Sequence, residues 1–246
     1  KICVLAPNQT FCGSMKTFVI VAALAYFATF LSGSVEAAAA DQHEQCQFWA
    51  ESGECDNNSG YMLVNCATSC EKLEQQTTND AKELEAITSF FNLSAYDIKG
   101  NLVDFSKFQG QVTIIVNVAS YCGYTDEHYK QLVQLWSQLK DSGKVNILAF
   151  PCNQFGAQEP ESNAEIFQFS LTKNVDFQMM SKVNVNGPNA SLVYKYLKKV
   201  AGPPTIGWNF ATYYVVAPDG KIEAYSGVEP LQLKEVVLGK LDTDEL

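Results

Sequence analysis

Cysteine placement constrains this chain more tightly than any other feature. Cys46, Cys55, Cys66 and Cys70 crowd into residues 46–70, while Cys122 and Cys152 stand apart from them and from each other. A segment as short as 46–70 cannot bury a self-sufficient apolar core, so cross-links must supply much of its stability. Disulfides do this in an oxidising compartment. A zinc site is the competing reading, but the spacings are not paired CxxC. The two isolated cysteines need a separate explanation.

The compartment is legible near the start. Met15-Lys16 precedes an apolar run from Thr17 to Leu31, followed by small residues through Ala37-Ala38-Ala39-Ala40. A charged start, a short apolar core and a small-residue cleavage site predict a secretory leader, cut after Ala37 or Ala40. A membrane anchor is the alternative, but about 15 apolar residues fall short of the about 20 that a span requires. Met15 reads as the initiator, so residues 1–40 are assigned to upstream sequence and leader, and Cys3 and Cys12 leave the fold argument. No membrane span is expected once the leader is removed. The tail Thr243-Asp244-Glu245-Leu246 resembles an endoplasmic-reticulum retrieval signal without its first lysine. Secretion is therefore expected, with the reticulum lumen as the alternative location.

Charge narrows the partners. The formal net charge is −10, and all 17 basic residues are lysines. That balance argues against nucleic acid and against anionic membrane surfaces. The absence of arginine removes the usual bidentate clamp for carboxylates.

Residues 46–70 read CQFWAESGECDNNSGYMLVNCATSC, and with WA, GEC, YM and NCATSC the stretch 41–71 resembles a ShK toxin-like module. That family normally carries six cysteines; the outer two positions, near Ala39 and at Leu73, lack them here. The resemblance implies the pairs Cys46–Cys66 and Cys55–Cys70. Toxin members act through an exposed lysine, and 41–71 contains none, so an appended recognition or stability module is expected. Residues 72–88 are polar and charged and read as a linker with a helical second half.

From Ser89 to the end the texture is that of one α/β domain. Ser89–Tyr96 and Leu102–Phe105 predict a hairpin. Gln111–Ala119, QVTIIVNVA, reads as a strand buried on both faces. Helical spacing follows over Asp126–Lys140, then a second buried strand at Lys144–Phe150. Helices are expected near Ala164–Thr172 and Ala190–Val200, strands at Thr212–Ala217 and Lys221–Ser226, and a last helix near Leu231–Leu241. This order fits a thioredoxin-like fold, a central mixed sheet flanked by helices.

Cys122 lies in VNVASYCGYT, between a buried strand and a helix. A thiol at such a junction faces unpaired backbone N–H groups and the positive end of the helix dipole, which favour the nucleophilic thiolate. VNVASYCGYT, FPCNQFGAQEP and WNF resemble, in order and spacing, three blocks of the glutathione peroxidase family, over about residues 86–241. The resemblance implies a cysteine-type, non-selenium peroxidase with Cys122 as peroxidatic residue and Gln154, Trp208 and Asn209 as the rest of its catalytic tetrad. Side-chain amides and an indole N–H suit the task, because they donate hydrogen bonds to a thiolate and a developing oxyanion without titrating. The implied substrates are hydrogen peroxide and organic or lipid hydroperoxides. Glutathione or a thioredoxin-fold protein would serve as reductant, and no cofactor or metal is expected.

The chain departs from that family in two places. Many cysteine-type relatives place a resolving cysteine where this chain has Ser170-Leu171-Thr172, so Cys152 is the remaining candidate resolving thiol beside its plainer reading as a buried structural one. The insertion that builds tetramers is replaced by residues 201–207, so a monomer is expected. His43 lies in the small module, and His128 reads as a solvated helix position. Asn57, Asn92 and Asn189 begin Asn-X-Ser sequons and are glycosylation candidates. Two rival functions use the same residues differently: a secretory thiol oxidase passing oxidising equivalents from Cys122 to a disulfide isomerase, and a binding protein acting through the ShK-like module.

Overall fold

The computed structural model describes residues 2–6, 9–13 and 40–242. The leader and the tail 243–246 lie outside these residues. Ile2–Ala6 (β1) and Gln9–Gly13 (β2) pair as an antiparallel hairpin in a unit of their own.

Residues 40 onward form the second unit. It begins with three short helices, Cys46–Glu51 (α1), Glu54–Asn57 (α2) and Ser59–Asn65 (α3), and a long one, Ala67–Ala86 (α4). Disulfides join Cys46 to Cys66 and Cys55 to Cys70, with Cα–Cα distances of 5.1 and 5.8 Å. Around them Ala50, Met62 and the edge of Trp49 make a small core separate from the rest. Without the cross-links so few apolar side chains could not hold four helical segments together.

The stretch 72–88 differs from its reading as a linker with a helical second half: α4 is continuous from Ala67 to Ala86. Glu, Gln, Lys and Ala are good helix formers, and the helix starts inside the module, carrying Cys70 in its first turn. It is also docked. Asp80 pairs with Lys195, Lys199 Nζ donates to Leu84 O at 3.2 Å, and Leu84 and Ile87 pack on the main domain's core.

The main domain is built on a five-stranded sheet ordered β7-β6-β5-β8-β9. Its strands are Val112–Val118 (β5), Val145–Pro151 (β6), Gln178–Met179 (β7), Thr212–Val216 (β8) and Ile222–Ser226 (β9). β5, β6 and β7 run parallel, with Ile114 opposite Ile147 and Val116 opposite Ala149, and β8 and β9 are antiparallel to them. A short hairpin, Ser94–Tyr96 (β3) with Leu102–Asp104 (β4), stands beside the sheet. It is shorter than the sequence suggests, because Phe90–Asn92 and Phe105–Phe108 turn into 3-10 helices with their phenylalanines buried.

Every residue of β5 is buried, and its side chains alternate between two cores. Ile114, Val116 and Val118 face Thr125–Leu139 (α5), Asn163–Thr172 (α6) and Leu233–Asp242 (α8). Ile115 faces the core made with Leu192–Ala201 (α7) and the buried phenylalanines. The period-2 alternation of the central strand thus divides the domain into helix, sheet and helix layers. No helix among the described residues is long and apolar enough to cross a membrane.

Candidate active site

β5 ends at Val118, and the chain turns through Ala119–Tyr124 into α5. Thr125 fixes that turn. Its hydroxyl donates to Ala119 O at 2.6 Å and accepts the Cys122 N–H at 3.1 Å, while its own N–H donates to Cys122 O at 3.0 Å. Cys122 is a free thiol, 7% exposed, with the strongly exposed rings of Tyr121 and Tyr124 on either side in the chain. Backbone N–H groups at the start of a helix favour negative charge placed against them.

The second part of the site comes from the segment before β8. Asn209 is fully buried, and Trp208 is 39% exposed. Asn117, an amide next to the end of the apolar β5 run, donates to Asn209 Oδ1 at 3.1 Å and to Trp208 O at 3.3 Å. Its carbonyl accepts the Phe210 N–H at 2.9 Å. These bonds hold Phe210 at φ 61, a left-handed conformation rare for so bulky a residue.

The third part is the loop after β6. Gly156 (φ 62) and Ala157 (φ 51) turn it sharply, and a Cβ on Gly156 would lie 3.6 Å from the Trp208 ring. Phe155 packs on Trp208 with ring centroids 5.7 Å apart. Gln158 then joins all three parts: its carbonyl accepts the Tyr121 N–H at 3.0 Å, and its side-chain oxygen accepts Asn209 Nδ2 at 3.4 Å.

Gln154 is exposed and bound elsewhere. Its Oε1 accepts the Val185 and Asn186 N–H groups at 2.7 and 2.9 Å, and its Nε2 donates to Asn186 O at 2.9 Å. Among the described residues no hydrogen bond joins Cys122 Sγ to Gln154, Trp208 or Asn209. The fold gathers the three sequence blocks around one turn, but it does not close the four side chains on the sulfur.

Cys152 is fully buried and free. It belongs to the core on the α7 face of the sheet, whereas Cys122 belongs to the α5 face. Burial pushes its thiol up, against smaller opposing effects of the Gln154 and Val185 N–H groups.

His128 is a correction to the sequence reading: it is buried, not solvated. It lies beside Tyr129 and one turn before Leu132 on the inner stripe of α5. Nδ1 is 2.6 Å from the Tyr213 hydroxyl and Nε2 is 3.7 Å from Glu229. Burial pulls its imidazole down, while Glu229 and Glu127 oppose the shift. With Tyr124, Trp208, Phe210, Val228 and Glu229 it lines a cavity of about 420 Å³ beside the Cys122 turn.

Three residues that shape the site were not singled out from the sequence: Asn117, Thr125 and Gln158. For Asn117 a signal existed, since a polar amide inside an otherwise apolar buried strand needs a partner. Of the sequon asparagines, Asn57 and Asn92 are exposed and Asn189 is half-buried. Among the described residues no cluster of metal-ligating side chains occurs.

Known proteins match this arrangement. The family model for glutathione peroxidase matches residues 90–198, and the ShK domain-like model matches residues 39–72. Glutathione peroxidase 7 of Homo sapiens is 50% identical over 135 residues, covering 54% of this chain and 70% of the relative. A probable phospholipid hydroperoxide glutathione peroxidase of Citrus sinensis is 41% identical over 161 residues, covering 63% of this chain and 96% of the relative. Among solved structures, T. cruzi GPX1 aligns with a TM-score of 0.52 at 30% identity, over 63% of this chain and 97% of that one. With that level of identity across most of each relative's length, carried on the same sheet and helices, the chain belongs to the glutathione peroxidase family.

Proposed function

We propose that the chain is a thiol-dependent peroxidase of the secretory pathway that reduces hydrogen peroxide and organic hydroperoxides at Cys122. The observation that carries this reading is the free Cys122 thiol on the turn into α5, where the Trp208–Asn209 segment and the 153–161 loop converge.

The thiolate of Cys122 attacks one peroxide oxygen, an S–O bond forms, and the O–O bond breaks. The leaving oxygen takes a proton and departs as water or alcohol, leaving a sulfenic acid. Asn209 Nδ2, the Trp208 indole N–H and Gln154 Nε2 serve as donors to the sulfur and the developing oxyanion. Gln154 must first release Asn186 O. One thiol of the reductant then condenses with the sulfenic acid, releasing water, and a second displaces Cys122 from the mixed disulfide. A raised thiol on the opposite face of the sheet makes Cys152 a poor internal partner, so the reductant is external: glutathione or a thioredoxin-fold protein. The two disulfides and the resemblance to glutathione peroxidase 7 support the secretory-pathway assignment.

Peroxide consumption by the purified protein, with glutathione and separately with a thioredoxin-fold protein, tests this. Cys122→Ser should abolish turnover with either reductant, because a serine hydroxyl is not ionised at neutral pH. Near-normal turnover by that variant would refute the assignment.

A further inference from the structure

The loop that meets the Cys122 turn is gripped by one ammonium group. Lys182 Nζ donates to the backbone carbonyls of Glu159, Pro160 and Glu161 at 3.1, 3.2 and 2.6 Å. An ammonium carries three protons, so the loop takes all of them and a carboxylate takes none. Three successive carbonyls can share one cation only if their peptide planes all turn toward it. The backbone of 159–161 is therefore fixed as a unit, by charge-assisted bonds stronger than those between neutral groups.

The lysine is itself mounted on a rigid base. It follows β7, and the backbone around it is bonded on every side. The Ser181 N–H donates to Tyr96 O, the Lys182 N–H to Asn163 Oδ1, and the Val183 N–H to Pro151 O at the end of β6, each at 2.9 Å. Lys182 is half-buried. Its side chain thus ties the loop to the β6–β7 edge of the sheet.

From the tied segment, contacts run on to the reacting residue. The Glu161 carboxylate accepts the Tyr121 hydroxyl at 3.2 Å. Gln158, immediately before the gripped carbonyls, accepts the Tyr121 N–H at its own carbonyl at 3.0 Å and Asn209 Nδ2 at its side-chain oxygen at 3.4 Å. The residue beside Cys122 and one proposed donor to the peroxide therefore both lean on this loop.

We propose that Lys182 is a positioning residue for the reaction at Cys122: its ammonium sets the 158–161 backbone, and that backbone sets Tyr121 and Asn209 about the sulfur. Lys182 does not touch peroxide or Cys122. Without it the three carbonyls lose their donor, the segment relaxes, and the turn and the amide shift relative to each other. A displacement of this size is enough to slow a reaction that needs sulfur and donors in register. The inference rests on Cys122 being the nucleophile.

The test compares two reagents at one pH, both followed at Cys122 by peptide mass spectrometry. Hydrogen peroxide, in single turnover without reductant, needs the donors around the sulfur. Iodoacetamide alkylates the thiolate directly and has no leaving oxygen to stabilise, so the ratio of the two rates cancels changes in ionisation and access. Lys182→Met keeps the length of the stem and removes the donors, and the peroxide-to-iodoacetamide ratio should fall roughly tenfold. Lys182→Arg restores charge and N–H donors, and should bring the ratio back to within about threefold of wild type. A Met variant with the wild-type ratio overturns the proposal, as does an Arg variant as low as Met. If the Met variant fails to fold, Lys182→Gln, which has two uncharged N–H donors, takes its place under the same criteria. Trapping the sulfenic acid separates the two levels: an oxidised Cys122 with an unmoved ratio sinks this inference only, and an unoxidised Cys122 in wild type sinks the peroxidase reading with it.

Discussion

Asn117 shows how a single buried amide can hold two parts of a site together. It reaches Asn209 and the Trp208 carbonyl from the centre of the sheet. Asn117→Leu keeps the volume but removes the donor from the buried Asn209 side-chain oxygen and from the Trp208 carbonyl. The variant should lose about 1–3 kcal/mol of stability, the cost of one buried polar group left unsatisfied. Its rate of reaction with peroxide should fall roughly tenfold or more as Asn209 loses its orientation. A thermal melt and a peroxide-consumption assay on the same protein check both, and wild-type values in both would contradict the role. Cys122, Trp208 and Asn209 are legible as candidates in the sequence because each sits in a block with a resemblance to lean on. Asn117 and Thr125 are not, because their partners are distant in the chain or lie in a turn whose shape no periodicity encodes. His128 was misjudged for a related reason: one polar residue on a helix looks solvated until Tyr213, 85 residues later, supplies its hydrogen bond.

At the level of elements, the buried strands and the amphipathic helices are legible because their periodicity reflects which face meets the sheet. β5, α5 and β6 fall within a residue or so of their expected limits. The segment after the module was harder to read. Its polar composition suggested a linker, yet it is a continuous helix anchored by Lys195 and Lys199. A mostly exposed helix shows little apolar patterning, so its length is set by propensity and by docking near its C-terminal end. Thr78→Pro, near the middle of α4, should break it at a cost of about 3 kcal/mol to the helix. Protease cleavage within residues 72–88 should become faster while peroxide consumption persists, because the sheet and its two cores are untouched. Unchanged cleavage would mean that the helix is not what holds this segment.

For the whole molecule, the arrangement separates stability from chemistry. A disulfide-bonded cluster of small helices carries its own small core, and a three-layer domain carries the candidate site. Within that domain the sheet also separates the two free thiols, Cys122 facing the α5 core and Cys152 the α7 core. A bond between them requires Cα atoms within about 7 Å and side chains that point toward each other. The proposed peroxidase therefore works through one cysteine and depends on an external thiol. Intact-protein and peptide mass spectrometry after one equivalent of hydrogen peroxide, without reductant and with a sulfenic-acid trap, tests it most directly. The trap should be found on Cys122, with Cys152 unmodified. A quantitative Cys122–Cys152 disulfide, or peroxide consumed with Cys122 unmodified, would contradict it.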